Sequence, residues 1–155
     1  MRKSKNNRPV VLAISSGGGH WVQMQKLAAA FKGADVNYAT TDCSAFSSNG
    51  NDPLHFYPDA NKTTPLRLVG CILKVVLLVL RIRPDVVIST GAAGGFIAIL
   101  VARALGARTM FVDSIANARE LSISARLSLG VADHVLSQWP SVAAKSGAGY
   151  RGAVI

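Results

Sequence analysis

Cysteine is scarce in this 155-residue chain: Cys43 and Cys71 stand far apart, with no CxxC neighbour and no clustered histidine. That excludes a disulfide framework and a zinc site, and it fits reduced thiols in a reducing compartment. Aromatic residues make up only 6%, and basic residues are not interleaved with stacking side chains. No nucleic-acid partner is therefore expected. Acidic residues are few, 8 against 17 Lys and Arg, which leaves a formal charge of +9. Such an excess favours an anionic partner such as anionic lipid or a phosphorylated substrate. No Asp-x-Asp triplet or histidine cluster points to a metal, and no organic cofactor is implied. No internal repeat or low-complexity segment is present, and no run of apolar residues is long enough to span a bilayer or to form a signal-peptide core.

What is present is a compact composition. Half of the residues are apolar and only 16% are charged, which argues for one domain with a real core. Residues 1–9 read as a basic flexible tail, and residues 10–155 as the single domain. Apolar β-branched runs alternate with helical patterns. Strands are expected at Val10–Ser15, Val36–Ala39, Asp85–Ser89, Arg108–Val112, His134–Leu136 and Gly152–Ile155. Helices are expected at His20–Phe31, Pro65–Ile82, Gly94–Leu105 and Ala118–Leu129, with Thr40–Thr64 as a long irregular segment. This alternation predicts an α/β fold, a Rossmann-like parallel sheet with helices on both faces.

In such sheets ligands lie at the carboxyl ends of the strands. Ser16-Gly17-Gly18-Gly19-His20 sits there, between the first strand and its helix. Glycines permit positive φ and close approach, and the helix start presents free N–H groups to a polar or anionic ligand such as a diphosphate. The turn is neither the dinucleotide fingerprint, whose third glycine would fall at Val22, nor a P-loop, since no Gly-Lys-Ser/Thr follows. A tight junction with no ligand is the alternative. At a helix start the dipole favours neutral imidazole, so His20 can serve as a general base; capping or packing is the plainer role.

A second turn, Ser89-Thr90-Gly91-Ala92-Ala93-Gly94-Gly95, also follows a strand and opens a helix, offering the Thr90 hydroxyl and backbone donors from Gly91 to Gly95, Gly94 among them. Small residues there could instead serve close helix–sheet packing. At a third strand end, Asp113, Ser114, Asn117 and Arg119 gather polar groups, with Arg119 suited to a phosphate; helix capping is the competing role.

The stretch Leu66–Ile82 is the most apolar in the chain. It spans about 25 Å as a helix, with Lys74 in its middle. Arg67, Lys74 and Arg81 recur every seventh residue and form one basic stripe. The surplus apolar surface, with Leu77 and Leu78, suits a membrane interface whose phosphates meet the basic heads. Burial against a partner protein, or under the Thr40–Thr64 segment, remains open.

Ser16–His20, Ser89–Ala92, Asp113-Ser114 through Arg119 to Leu121–Leu127, Val135–Pro140 and Tyr150-Arg151-Gly152 together resemble the acceptor-side, membrane-associated subunit of split GT-B glycosyltransferases. This is the asparagine-linked-glycosylation (Alg) oligosaccharide biosynthesis family, with bacterial relatives in exopolysaccharide and capsule synthesis. The resemblance implies the N-terminal half of a GT-B glycosyltransferase, that is, an inverting hexosyltransferase subunit, inactive without a small donor-binding partner with which it shares the UDP-sugar. It implies a lipid-linked sugar acceptor on a polyprenyl diphosphate, with His20 as the base. Ser16, Gly17, Gly18, Gly19, Thr90, Gly91, Gly94, Asp113, Ser114, Asn117 and Arg119 would cradle the acceptor diphosphate. Peripheral contact with the cytoplasmic face of the membrane would come through Arg67, Lys74, Leu77, Leu78 and Arg81. A noncatalytic accessory subunit that activates and localises the partner is the alternative role.

Overall fold

The computed structural model describes residues 8–45, 50, 52–60 and 65–154; most of the expected basic tail lies outside them. Seven strands form one parallel sheet in the order β3-β2-β1-β4-β5-β6-β7. They are β1 (Val10–Ile14), β2 (Asp35–Thr40), β3 (Leu54–Phe56), β4 (Val86–Ser89), β5 (Arg108–Val112), β6 (His134–Ser137) and β7 (Gly149–Tyr150). The helices are α1 (Gly19–Lys26), α2 (Pro65–Ile82), α3 (Ala92–Ala104), α4 (Ile123–Ser128) and α5 (Pro140–Ser146), with a 3-10 turn at Ala28–Phe31.

The central strand β1 pairs with β2 on one side and β4 on the other. Covered on both faces, it is apolar throughout. Its side chains alternate: Leu12 and Ile14 join the core beneath α2, α3, α4 and α5, while Val11 and Ala13 join a smaller core with Trp21, Met24, Phe31 and Tyr38. Helices thus lie on both faces, as the alternation predicts, but unequally. One face carries four. The other carries α1 and the 3-10 turn. A cavity of about 510 Å³ lies at the β5–β7 end of the sheet, with Met110, Ala132, His134, Val135, Gly149 and Arg151 in its lining. The chain order reverses at β1 and β4, which places the ligand crevice of a doubly wound sheet between their carboxyl ends.

Local chemistry fixes the element ends. Pro65 and Pro140 stand at first helical positions, where a missing N–H costs nothing. Gly147, in the left-handed region, stops α5. Val75 and Val79 of α2 are fully buried, each contributing about 2 kcal/mol of transfer free energy.

Several sequence expectations change. The helix expected to run to Phe31 ends at Lys26, where the Leu27 amide is shared between the Gln23 and Met24 carbonyls and the chain tightens into the 3-10 turn. Within the segment read as irregular, β3 forms by pairing with β2, with Tyr38 N–H donating to Pro53 O at 2.8 Å. The helix expected from Ala118 begins at Ile123, because Ser122 caps it by accepting from the Ala125 amide at 3.1 Å. Helix α5 is too short for a periodic signal. The last strand lies at Gly149–Tyr150 rather than Gly152–Ile155, of which Ile155 lies outside the described residues. Cys43 and Cys71 are both free thiols.

Candidate active site

Three loops leave the adjacent strands β1, β4 and β5 at the same edge of the sheet, and side chains knit them together. Gly18 takes φ 68°, a conformation natural to glycine, and aims α1 with no side-chain cap. The amide of Gly17 donates to Thr41 Oγ1 at 2.9 Å. Gly91 stands at φ 152° ahead of α3, which also has no side-chain cap. Neither helix has an acidic residue in its first turn. The Gly91 amide, expected as a donor to a ligand, is taken by Ser89 Oγ at 3.2 Å. Two helix N-termini without side-chain caps and with like-signed dipoles therefore flank the crevice, an arrangement that attracts anions.

His20 lies between them. Its half-buried ring packs directly over Gly91, in the space a Cβ would take. The Thr90 hydroxyl donates to the His20 carbonyl at 2.8 Å. The Nδ1 atom is buried without a hydrogen-bond partner, so no hydrogen bond at Nδ1 fixes the tautomer. Among the described residues no three His, Cys, Asp or Glu side chains are grouped as metal ligands.

The structure divides the residues expected at the acceptor site. Gly18, Gly19 and Arg119 are exposed, and Ser16, Gly17, Ser114 and Asn117 are half-buried, so these stand at the rim. Thr90, Gly91, Gly94 and Asp113 are buried and build the frame. Thr90 uses its hydroxyl on His20. Gly94 lies against the Tyr57 ring, whose phenol burial pushes well above its usual pKa. Asp113 turns its carboxylate inward: Oδ1 accepts from Asn117 Nδ2 and Oδ2 from the Ser122 amide, both at 2.9 Å. It caps no helix itself and holds the 113–122 loop in shape.

Three further residues stand at the site: Gln23, which escapes the sequence reading, and Gln138 and Trp139, which enter it only within the Val135–Pro140 stretch and without a site role. Gln23 and Gln138, both buried, donate to the Asp113 carbonyl at 3.2 and 2.9 Å. Trp139 Nε1 donates to Ile115 O at 2.7 Å. The available signal was position: Gln138 and Trp139 directly follow β6, at the ligand-binding edge, and Gln23 stands three residues after His20.

On α2 the exposed arc differs from the expected one. Leu66, Val69, Leu73, Leu77 and Leu80 are exposed and lie opposite the buried Cys71, Val75, Leu78 and Val79. Leu78, expected at the surface, is 8% exposed and belongs to the core. Arg67, Lys74 and Arg81 are exposed along one flank of the apolar arc. Burial, then Arg81 and Lys74, holds the His55 imidazole below its usual pKa. Among the described residues no helix is long and apolar enough to cross a membrane.

The family described as "Oligosaccharide biosynthesis protein Alg14 like" matches residues 58–154, more than half of the chain. No curated protein matches by sequence. In three dimensions the chain is similar to MurG of Acinetobacter baumannii, with TM-score 0.71 and 16% identity over 94% of this chain and 45% of that one. A UDP-N-acetylglucosamine 2-epimerase from Rickettsia bellii gives TM-score 0.70 and 14% identity over 95% of this chain and 45% of its own. The epimerase from Neisseria meningitidis bound to UDP-GlcNAc gives TM-score 0.59 and 10% identity, over 83% and 40%. The chain thus spans less than half of each of these structures, and the likeness is one of fold. The family match includes the second turn and the 113–122 loop and begins after the first turn.

Proposed function

The chain belongs to the Alg14-like family of oligosaccharide biosynthesis proteins, and from that premise we propose that it is the acceptor-side subunit of a two-component, UDP-sugar-dependent glycosyltransferase. It binds a polyprenyl-diphosphate-linked sugar at the cytoplasmic face of the membrane during exopolysaccharide or capsule synthesis. A small partner supplies most of the donor site. The observation that carries this reading is the pair of uncapped helix N-termini at the crevice between β1 and β4, with His20 between them. The acceptor diphosphate meets the amides at Gly18–Gly19, and Arg119 reaches it from the third loop. His20 takes the proton from the acceptor hydroxyl as its oxygen bonds to the anomeric carbon. The bond from that carbon to the UDP oxygen breaks, UDP leaves with the electron pair, and the configuration inverts. Helix dipoles and basic side chains stabilise the leaving charge.

The test is sugar transfer by the chain reconstituted with its partner. His20→Ala lowers kcat by at least about 100-fold, the low end for a general base. The unpartnered Nδ1 of His20 favours a second reading, in which the partner supplies every reacting group and this chain activates and localises it. Near-normal turnover in the variant selects that reading.

The exposed leucines of α2, with Arg67, Lys74 and Arg81 beside them, support peripheral docking on anionic lipid. Vesicles containing phosphatidylglycerol should float the protein, and phosphatidylcholine vesicles should not. Leu73→Glu with Leu77→Glu abolishes flotation with no loss of thermal stability, since both side chains are already exposed. Retained flotation removes α2 from the membrane contact.

A further inference from the structure

Asp113 is the meeting point of a string of buried polar contacts that reaches well away from the crevice. Gln23 Nε2 donates to the Val112 and Asp113 carbonyls at 3.3 and 3.2 Å, and Gln138 Nε2 donates to the Asp113 carbonyl at 2.9 Å. Gln23, Gln138 and Asp113 are 5%, 3% and 1% exposed. The other end of Gln138 faces the opposite way: its Oε1 accepts from the Val154 amide at 2.7 Å. The Asp113 carboxylate holds Asn117 Nδ2 and the Ser122 amide. An unbroken path therefore runs from Val154 through Gln138 and Asp113 to the loop that carries Ser114 and Arg119.

The chemistry of a carboxamide makes this path directional. Only one orientation of Gln138 satisfies both neighbours, oxygen toward the Val154 N–H and nitrogen toward the Asp113 carbonyl. Turned over, it would set donor against donor and acceptor against acceptor. In a buried setting each lost partner leaves a polar group unsatisfied. Gln138 therefore bridges half-buried Val154, which follows exposed Arg151–Ala153, to the Asp113 carbonyl, while Gln23 ties the same carbonyl to the helix that begins beside His20.

We propose that Gln138 is a positioning residue that couples segment 151–154 to the 113–122 loop, and so sets how Ser114 and Arg119 meet the acceptor. The coupling stands on the contacts above, and its effect on the acceptor rests on the function proposed for this crevice.

Amide hydrogen exchange on the full chain tests the coupling. Gln138→Leu removes both bonds, whereas Val154→Pro removes one N–H donor and leaves Gln138 in place. Both variants should speed exchange at the Asn117 and Ser122 amides by about tenfold, with the amides of β1 and α1 unchanged. Unchanged rates at Asn117 and Ser122 in Val154→Pro overturn the proposal, as does acceleration spread evenly over the chain. Should Gln138→Leu fail to fold, Val154→Pro decides alone. In the reconstituted transferase, Gln138→Leu should raise KM for the lipid-linked acceptor severalfold and leave kcat and the KM for UDP-sugar unchanged; a fall in kcat alone overturns the positioning role. A wild-type complex that transfers no sugar defeats the functional reading, and the exchange rates still decide the coupling.

Discussion

At the turn after β1, a Cβ added to Gly18 or Gly19 would meet nothing within 4 Å, whereas at the turn after β4 one added to Gly91, Gly94 or Gly95 would strike the His20 ring, the Tyr57 ring or Ser89 Oγ. The two turns look alike in sequence: each follows a strand, opens a helix and is rich in glycine. They use glycine for opposite ends. The first packs Gly17 against Asp42, whose Cβ would lie 2.8 Å from an added methyl, but leaves space at Gly18 and Gly19, at the start of the helix. The second fills its space with the protein's own side chains, and one of those is the His20 imidazole. Glycine at a strand end thus marks a close approach, but does not say whether the approaching group is a ligand or the fold itself.

Substitutions can break this contrast. The largest effect is expected at Gly95→Ala, where the new methyl would overlap Ser89 Oγ and lie 2.9 Å from Ser89 Cβ. Overpacking in that buried layer should cost about 3 kcal/mol in urea unfolding; a loss below about 1 kcal/mol would mean the helix and sheet have slack there. Next comes Gly91→Ala. A non-glycine residue at φ 152° is strained, by about 2 kcal/mol, and the methyl displaces the His20 ring. Its imidazole NMR signals should move, and unchanged signals would contradict the packing of His20 over Gly91. The smallest effect on stability is expected at Gly19→Ala, at the first position of α1 with open space around it. Reduced freedom of the unfolded chain should raise stability by about 0.5 kcal/mol. On the proposed function the same methyl would stand where the acceptor diphosphate approaches, so acceptor KM should rise while stability improves. A variant unaltered in both respects would make the first turn a plain junction.

Much of the framework was legible in the chain. The apolar runs at Val10, Val86 and Arg108–Val112 mark central strands because a parallel strand covered on both faces has no use for polar side chains. The turns after them were placed at the ligand edge by topology alone. Asp113 was also singled out, but its partners were not legible: a carboxylate at a strand end could face a ligand, and here its oxygens accept from Asn117 and Ser122. Leu78 was misjudged for a related reason. A helix that is apolar nearly all round gives no internal sign of which apolar arc meets the sheet, and only the burial of Leu78 in the same core cluster as Val87 and Ala98 settles it. The short β3 was hidden because three residues carry no period, and its existence depends on β2 lying beside it.

The sequence by itself determined the alternation of strands and helices, the parallel sheet that follows from it, and the glycine turns at its carboxyl edge. These are local or nearest-neighbour properties, governed by side-chain period, β-branching and backbone freedom. Only the tertiary structure decided which polar groups at that edge remain open to a ligand. Exposure of Gly18 and Arg119, burial of Thr90 and Asp113, and the seat of His20 on Gly91 depend on residues tens of positions apart in the chain. A hydrogen-bonding group is satisfied by whichever partner the fold delivers, and the linear order of residues does not name that partner.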